Sequence, residues 1–301
     1  MNIALVFPPS TFLTNPMVWP PLGLFYIGAQ LEAQRHRVEF FDLSSTSLPP
    51  DGWFDQMWIS ANSPQMYEVR KIADQTKDWK WTKTVLGGAA PWANPNGCKD
   101  LPFNLIVVGE GDHPITITEI VAKANRESGM YFPKISKDLD WVLPPIRRWS
   151  LDYHAYMDDQ NGNTYRMASL FTSRGCPFSC AFCESGRHGV IWNALTRYEP
   201  MECVEKQIRE IKDLGFTGLA YYDDIFIINK KRTLKLLNLH KEYGMKFRCF
   251  LRSDILCKHG GKDYLKELKD GGLIETFVGV ESADNQIKDN IHKGTTIKQD
   301  T

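Results

Sequence analysis

The chain has 301 residues, 43% of them hydrophobic and 12% aromatic, with 36 Lys and Arg set against 36 Asp and Glu. That length suits two ordinary domains and that composition a packed core, which excludes a disordered chain. A formal net charge of +0 gives no case for a nucleic-acid or anionic-membrane partner and leaves open only a local basic patch; no apolar run is long enough to span a bilayer.

The first apolar run, Ile3–Phe7, reads as a strand rather than a leader, because no basic residue precedes it and Pro8-Pro9 stops it. A cytoplasmic location follows, and free thiols agree with it. Leu22–Gln34 carries apolar residues at helical spacing (Leu24, Ile27, Gly28, Leu31). Val38–Asp42 and Met57–Ser60 read as strands, Pro64–Asp78 as a helix, and Thr84–Leu86 and Leu105–Val108 as strands ending at glycines. A further helix starts near Pro114. Five strands with intervening helices predict an α/β fold: a flavodoxin-like (Rossmann-like) open parallel sheet over residues 1–130.

Ligands of such sheets sit at the carboxyl ends of the strands. Here that edge carries Pro8-Pro9-Ser10, Ser60-Ala61-Asn62, Gly87-Gly88-Ala89-Ala90 and Gly109-Glu110-Gly111. Any one of these is most simply a turn. Four on one edge point to a ligand whose bulk approaches the backbone closely.

Tyr131–Asn163 reads as a connector, interrupted by Pro133, Pro144-Pro145 and the polar run Asp158–Asn163, and places the linking segment at 131–165. From 166 to 301 strands and helices alternate again. Strands are expected at Ala168–Thr172, Gly218–Asp223, Lys246–Arg252 and Glu275–Val280. Helices are expected at Pro200–Leu214, Lys230–Tyr243 (Asn229 as N-cap, Gly244 closing it), Lys262–Lys269 and Asp284–Ile291. About four units predict a partial (β/α) barrel, with its active groups at the carboxyl ends of the strands.

The loop after the first of these strands holds Cys176, Cys180 and Cys183. Three thiolates in one short loop point to a metal site with one position left open for chemistry. Zinc is the alternative, with His188 or Cys203 as a fourth ligand; the lack of paired C-x2-C knuckles and the first gap of three weigh against it. Three clustered cysteines cannot all form disulfides. Cys98, Cys203, Cys249 and Cys257 share no spacing and read as ordinary buried thiols.

The C-x3-C-x2-C spacing, with Arg174-Gly175 before it and Phe182 before the last cysteine, resembles the radical S-adenosylmethionine (radical SAM) superfamily. The resemblance implies that the three cysteines hold a [4Fe-4S] cluster whose fourth iron is chelated by S-adenosylmethionine, and that one electron then breaks the sulfonium C–S bond. Phe182 then packs either beside the cluster or in the core. Asp223 or Asp224 is expected at the cofactor's amino group, with strand alternation letting only one of them face the interior. Arg252 is expected at its carboxylate or in an ion pair with Asp223, Asp224 or Glu281. Gly279-Val280-Glu281-Ser282 resembles the family's Gly-Val-Glu-Ser segment, which places Glu281 at the ribose hydroxyls. Lys293-Gly294-Thr295 resembles the segment that follows, without an assigned role. Tyr221, Tyr222, Trp192 and His188 are cavity-lining or core residues.

Phe7-Pro8-Pro9, Pro20-Pro21-Leu22-Gly23-Leu24, Asp42, Gly87-Gly88 and Gly109-Glu110-Gly111 resemble the cobalamin-binding domain of cobalamin-dependent radical SAM enzymes. Pro9, Asn62, Gly87, Gly88, Gly109, Glu110 and Gly111 are accordingly the expected cobalamin contacts. The cobalt-coordinating Asp-x-His-x-x-Gly signature is absent, and His113 is expected at a helix start instead. Five of the nine tryptophans fall between Trp53 and Trp92, and one under the corrin ring is an option beside core packing.

The resemblance implies a cobalamin-dependent methyltransferase acting on an unactivated carbon of a small-molecule or peptide substrate, with a reductase such as flavodoxin or ferredoxin as electron donor. The alternatives are radical oxidation, cyclisation or rearrangement without methyl transfer, and a non-catalytic cofactor-binding or split-enzyme subunit. The last is motivated by the short barrel, since relatives commonly have six units; such a subunit requires a complementary C-terminal polypeptide.

Overall fold

In the computed structural model, which describes residues 1–126, 128–183, 185 and 196–301, the apolar runs become strands β1 (Asn2–Phe7), β2 (Arg37–Asp42), β3 (Gln56–Ser60), β4 (Lys83–Gly87) and β5 (Leu105–Val107). A sixth strand, β6 (Gly129–Tyr131), falls where the sequence reading places the beginning of the connector. Three residues are too few to show a period, so only pairing with β5 reveals it. All six run parallel in the order β2-β1-β3-β4-β5-β6.

Helices cover both faces of this sheet. Val69, Ile72 and Ala73 of the helix Met66–Thr76 pack with Met57, Ile59, Leu86 and Ile106. Phe25 of the helix Leu22–Ala33 meets Phe40 edge-on at 5.2 Å, and Trp149 closes the group at 5.6 Å from Phe25. Phe25, fully buried, contributes about 1.5–3 kcal/mol.

The chain divides into two compact units: Met1–Lys137 with Trp141–Tyr153, and Asp138–Asp140 with His154–Thr301. In the second unit, β7 (Tyr156–Asp158) and β8 (Thr164–Leu170) form an antiparallel hairpin. The polar run between them is therefore a turn, which Asp159 organises by accepting from the N–H groups of Asn161 (2.8 Å) and Asn163 (3.0 Å). A short ladder joins β9 (Ser173–Arg174) to β10 (Arg197–Tyr198). Strands β11 (Gly218–Tyr221), β12 (Lys246–Leu251) and β13 (Leu273–Val278) complete a second sheet of order β13-β12-β11-β8-β7, with β8, β11, β12 and β13 parallel.

Phe247, Cys249 and Leu251 of β12 point to the helix side, where they join Val204, Ile208, Leu236, Leu237 and Tyr264 in one core. The helix Lys230–Tyr243 starts where expected, with Asn229 Oδ1 accepting from Arg232 N–H at 3.0 Å, and ends at Gly244. Two short helices, Ser253–His259 and Ile297–Asp300, were not expected from periodicity. Cys98 and Cys249 are buried as expected; Cys203 is only half-buried and Cys257 is exposed, because its short helix turns it outward.

Two predictions follow from this packing. Gly88 has φ +95°, and a Cβ there would stand 2.7 Å from Ala61 N and Ser60 Oγ. Gly88→Ala is expected to cost about 1–3 kcal/mol in urea unfolding. His240 is buried and hydrogen-bonded to the Tyr221 hydroxyl at 2.5 Å. Burial lowers its pKa from 6.5 to about 3. The unfolded chain then binds a proton that the folded chain refuses, so stability falls as pH drops below about 6.5 toward 3. Unfolding measured across that range should show a shallower acid loss in His240→Gln.

Candidate functional site

Strand β8 delivers the chain to the cysteine loop through Thr172 and Ser173. Both are buried and turn their donors onto Asp223, itself 1% exposed. Asp223 accepts from Thr172 N–H (2.7 Å), Thr172 Oγ1 (2.6 Å) and Ser173 Oγ (2.5 Å). Burial raises its pKa, and these hydrogen bonds work against that rise. The next carboxylate, Asp224, is exposed; it accepts from Gly175 N–H at 3.0 Å and from Ser185 Oγ at 2.6 Å, on either side of the cysteines. One aspartate is thus buried and its neighbour exposed, and both bind the loop. β11 ends at Tyr221, so both lie in the turn beyond it.

Within the loop, Cys183 N–H donates to Cys180 O at 3.1 Å and Ala181 N–H to Ile291 O at 2.9 Å. Cys180 is 6% exposed; Cys176 and Cys183 are half-buried. Burial pushes the Cys176 thiol up to about 11, with Asp224 and Cys183 adding to the rise and Arg252 opposing it. Among the described residues, no three His, Cys, Asp or Glu side chains are gathered closely enough to hold a single ion. A four-iron cluster spaces its thiolates more widely than one ion does. Three soft thiol donors beside a buried guanidinium fit such a cluster's negative charge.

That guanidinium is Arg252, 5% exposed. It donates Nη1 to Cys180 Sγ at 3.6 Å, Nε and Nη2 to Asp254 at 3.0 and 3.1 Å, and Nη2 to Lys293 O at 2.6 Å. It also lies over the Phe178 ring at 3.6 Å. Burial works against its charge, but the Asp254 carboxylate and Cys180 hold its pKa above the usual value. The expected ion pair to Asp223, Asp224 or Glu281 is therefore corrected to Asp254, two residues along, because the chain enters a helix at Ser253 and turns that carboxylate back. Phe178, not the 52% exposed Phe182, is the loop aromatic packed against the arginine.

Glu281 lies beyond the end of β13 rather than on it. Its backbone is left-handed (φ 64°), and Oε1 accepts from Lys293 Nζ at 3.0 Å. A Cβ on Gly279 would fall 2.5 Å from that oxygen, so the glycine permits the carboxylate to fold back. Lys293 is the residue that sequence reasoning passed over. It is buried, pairs with Glu281, offers its carbonyl to Arg252 and lies 5.8 Å from the Phe182 ring. Its signal was present in the Lys293-Gly294-Thr295 segment, which carried no role.

The face of this sheet opposite the helices carries Arg248, ion-paired to Glu275 at 3.3 Å and lying over Phe277 at 4.3 Å, with Phe250 stacked on Phe277 at 5.3 Å. Tyr222 approaches Phe171 at 5.9 Å, whereas Tyr221 belongs to the core. Cys203 sits with Glu199 and Gln207. His188 and Trp192 lie outside the described residues.

In the first unit, the loops after β1, β3, β4 and β5 line one edge, because those strands are consecutive neighbours. The switch point of the sheet lies between β1 and β3. Gln65, 1% exposed, spans it: Nε2 donates to Pro8 O (2.6 Å) and Ser10 Oγ (3.1 Å), and Oε1 accepts from Asn62 N–H (2.9 Å). Pro9, Asn62, Gly88, Gly109, Glu110 and Gly111 belong to these loops, and Gly87 is the last residue of β4. A Cβ on Gly88 would meet Ser60 and Ala61, and one on Gly109 would meet Pro133 and Trp92, so these glycines let the loops of this edge pack closely on one another. Trp53 and Trp81 are 70% and 74% exposed and precede β3 and β4, so they lie at the opposite ends of the strands; Trp92 alone of the five sits beside Gly109. His113 Nδ1 accepts from Ile115 N–H at 3.2 Å, a helix-start role as expected.

The family model described as Radical SAM superfamily matches residues 170–299, which include the cysteine loop, Arg252, Glu281 and Lys293. An uncharacterised methyltransferase of Pyrococcus horikoshii is 27% identical over 335 residues, covering 99% of this chain and 69% of that protein. The hopanoid C-2 methylase of Rhodopseudomonas palustris is 26% identical over 91% of this chain, which spans 51% of it. The radical S-adenosylmethionine methyltransferase TsrM of Kitasatospora setae, solved with cobalamin and a [4Fe-4S] cluster, shares the fold with a TM-score of 0.69 at 14% identity, over 98% of this chain and 64% of that one.

Removing Asp223 strands three donors at the base of the loop. Asp223→Ala is expected to lower stability by about 3–5 kcal/mol in urea unfolding. Asp224→Ala, at an exposed position, should change it by less than about 1 kcal/mol while reducing the iron retained per chain after anaerobic reconstitution.

Proposed function

We propose that this chain, whose residues 170–299 are a radical SAM domain, is a cobalamin-dependent radical SAM methyltransferase acting on an unactivated carbon. The observation that carries this reading is the cysteine loop held at both ends by adjacent aspartates, with a buried arginine against its middle thiol. The switch point at the carboxyl edge of the first unit's sheet and the methyltransferase relatives support the corrinoid half of it.

Cys176, Cys180 and Cys183 would hold the cluster, and the loops of Pro9, Asn62, Gly87, Gly88, Gly109, Glu110 and Gly111 the corrinoid. When bound, the cluster supplies the electron that cleaves S-adenosylmethionine and the corrinoid supplies the methyl group. The chain's own residues then position and shield. Asp223 fixes the direction in which the loop leaves β8, and Asp224 fixes the spacing of its ends. Arg252 and Phe178 keep water from Cys180 and place a positive charge beside it. Asp224, exposed beside the loop, is the better placed of the two aspartates to meet an ammonium group, since the bonds of Asp223 are spent within the fold. Glu281, fixed by Lys293, offers a carboxylate oxygen to hydroxyl donors. The aromatic face formed by Phe171, Tyr222, Phe250 and Phe277 is available for an apolar substrate.

Anaerobic reconstitution with iron and sulfide tests this. Four-iron spectra are expected from the chain and not from Cys176→Ala. With cobalamin and a reductant, S-adenosylhomocysteine and 5′-deoxyadenosine should form together. Stoichiometric zinc without acid-labile sulfide would overturn the radical reading, and 5′-deoxyadenosine alone, unchanged by cobalamin, would overturn the methyl-transfer part.

A further inference from the structure

Tyr198, Met201, Asn229, Lys231, Arg232 and Lys235 line a pocket of about 310 Å³. Two of these residues touch the base of the cysteine loop. Tyr198 pairs with Ser173 in the β9–β10 ladder. Arg232 donates Nη2 to the carbonyls of Thr172 (3.1 Å) and Glu199 (2.7 Å) and lies over the Tyr198 ring at 5.2 Å. Thr172 precedes Cys176 by four residues, so the pocket's floor lies no more than about 14 Å of chain from the first cysteine.

The rim is cationic. Lys231 and Lys235 are four residues apart on one helix, hence on one face, and both are exposed. Like charges at that spacing weaken a helix, and among the described residues neither ammonium has a carboxylate partner to offset the repulsion. The Arg232 charge is offset by the neighbouring Asp223 and Glu199 carboxylates, so the exposed charge of the rim is that of Lys231 and Lys235, with Glu202 next to Met201 in the chain. The pocket is not built for a small anion: Asn229 already caps the helix, and Arg232 spends its Nη2 on two carbonyls. Flexible ammonium groups around a shallow opening fit a carboxylate-rich protein surface, recognised by charge and steered by it.

We infer that this pocket is the docking surface for the electron-donor protein, a small acidic flavin or iron–sulfur carrier whose carboxylates meet Lys231 and Lys235. The inference rests on the cluster reading above. The step is a one-electron transfer: the reduced carrier loses one electron, the cluster gains it, and no bond forms or breaks. The Thr172–Cys176 segment, reached through Tyr198 and Arg232, is the covalent route.

The test uses reduced and oxidised flavodoxin with the full chain and with Lys231→Glu/Lys235→Glu. Fluorescence anisotropy, which needs no cluster, should show flavodoxin binding weakened about tenfold in the double variant at low salt, with the difference closing as salt rises. Formation of 5′-deoxyadenosine should fall in parallel when flavodoxin is the donor and stay unchanged when titanium(III) citrate replaces it. Lys231→Gln/Lys235→Gln should fall between. Equal binding by both chains, or equal loss of turnover with both reductants, overturns the docking surface. Lysine-dependent binding by a chain that takes up no iron or sulfide overturns the cluster reading and leaves the surface standing.

Discussion

A single buried carboxylate fixes where the cysteine loop begins. An ionised carboxylate inside a protein costs several kcal/mol unless it is hydrogen-bonded, and Asp223 meets that cost with three donors from Thr172 and Ser173. Thr172 is held from its other side as well, since its carbonyl accepts from Arg232 Nη2 and from Glu199 N–H. With both backbone groups of Thr172 committed, the chain leaves β8 in one direction, and the three cysteines follow from there. A site that must gather three sulfurs from one flexible loop needs such a fixed point.

Arg252 plays the complementary part at the loop's centre. It joins the cysteine loop, the helix after β12 and the segment Ile291–Lys293, which are far apart in sequence. Lys293 in turn restrains Glu281. Farther along, the fully buried Lys288 pairs with Asp300, whose other oxygen accepts from Ser253 next to Arg252. Several of the charges around the loop are thus tied into one polar network. In a low-dielectric setting a network of this kind orders its members strongly when every group has a partner.

Much of this architecture was legible from residue order. The alternation of apolar runs and helical periods located the parallel strands expected for both sheets to within a few residues, and Asn229 and Gly244 marked their helix correctly. Elements too short to carry a period, such as β6, β7 and the helix Ile297–Asp300, were not legible, because their pairing partners rather than their own residues define them. Strand ends were also displaced: β11 and β13 each stop two residues before the sequence reading places them, and this moved Asp223 from the strand into the loop that already held Asp224, and set Glu281 farther from its strand end. In a turn a side chain is no longer bound by alternation, so both aspartates could bind the same loop.

The sequence by itself determined the donor chemistry: three thiols in one short loop, a carboxylate pair after a strand, an arginine and a glutamate at later strand ends, and small residues along the edge of the first sheet. These depend on residue type and local spacing, which the chain carries directly. Only the tertiary structure decided who partners whom. It placed Asp254 rather than a distant acid on Arg252, made Lys293 the restraint on Glu281, and let Gln65 bridge the switch point. Such pairings arise from burial and from contacts between remote segments, where the cost of leaving a polar group unsatisfied selects the partner.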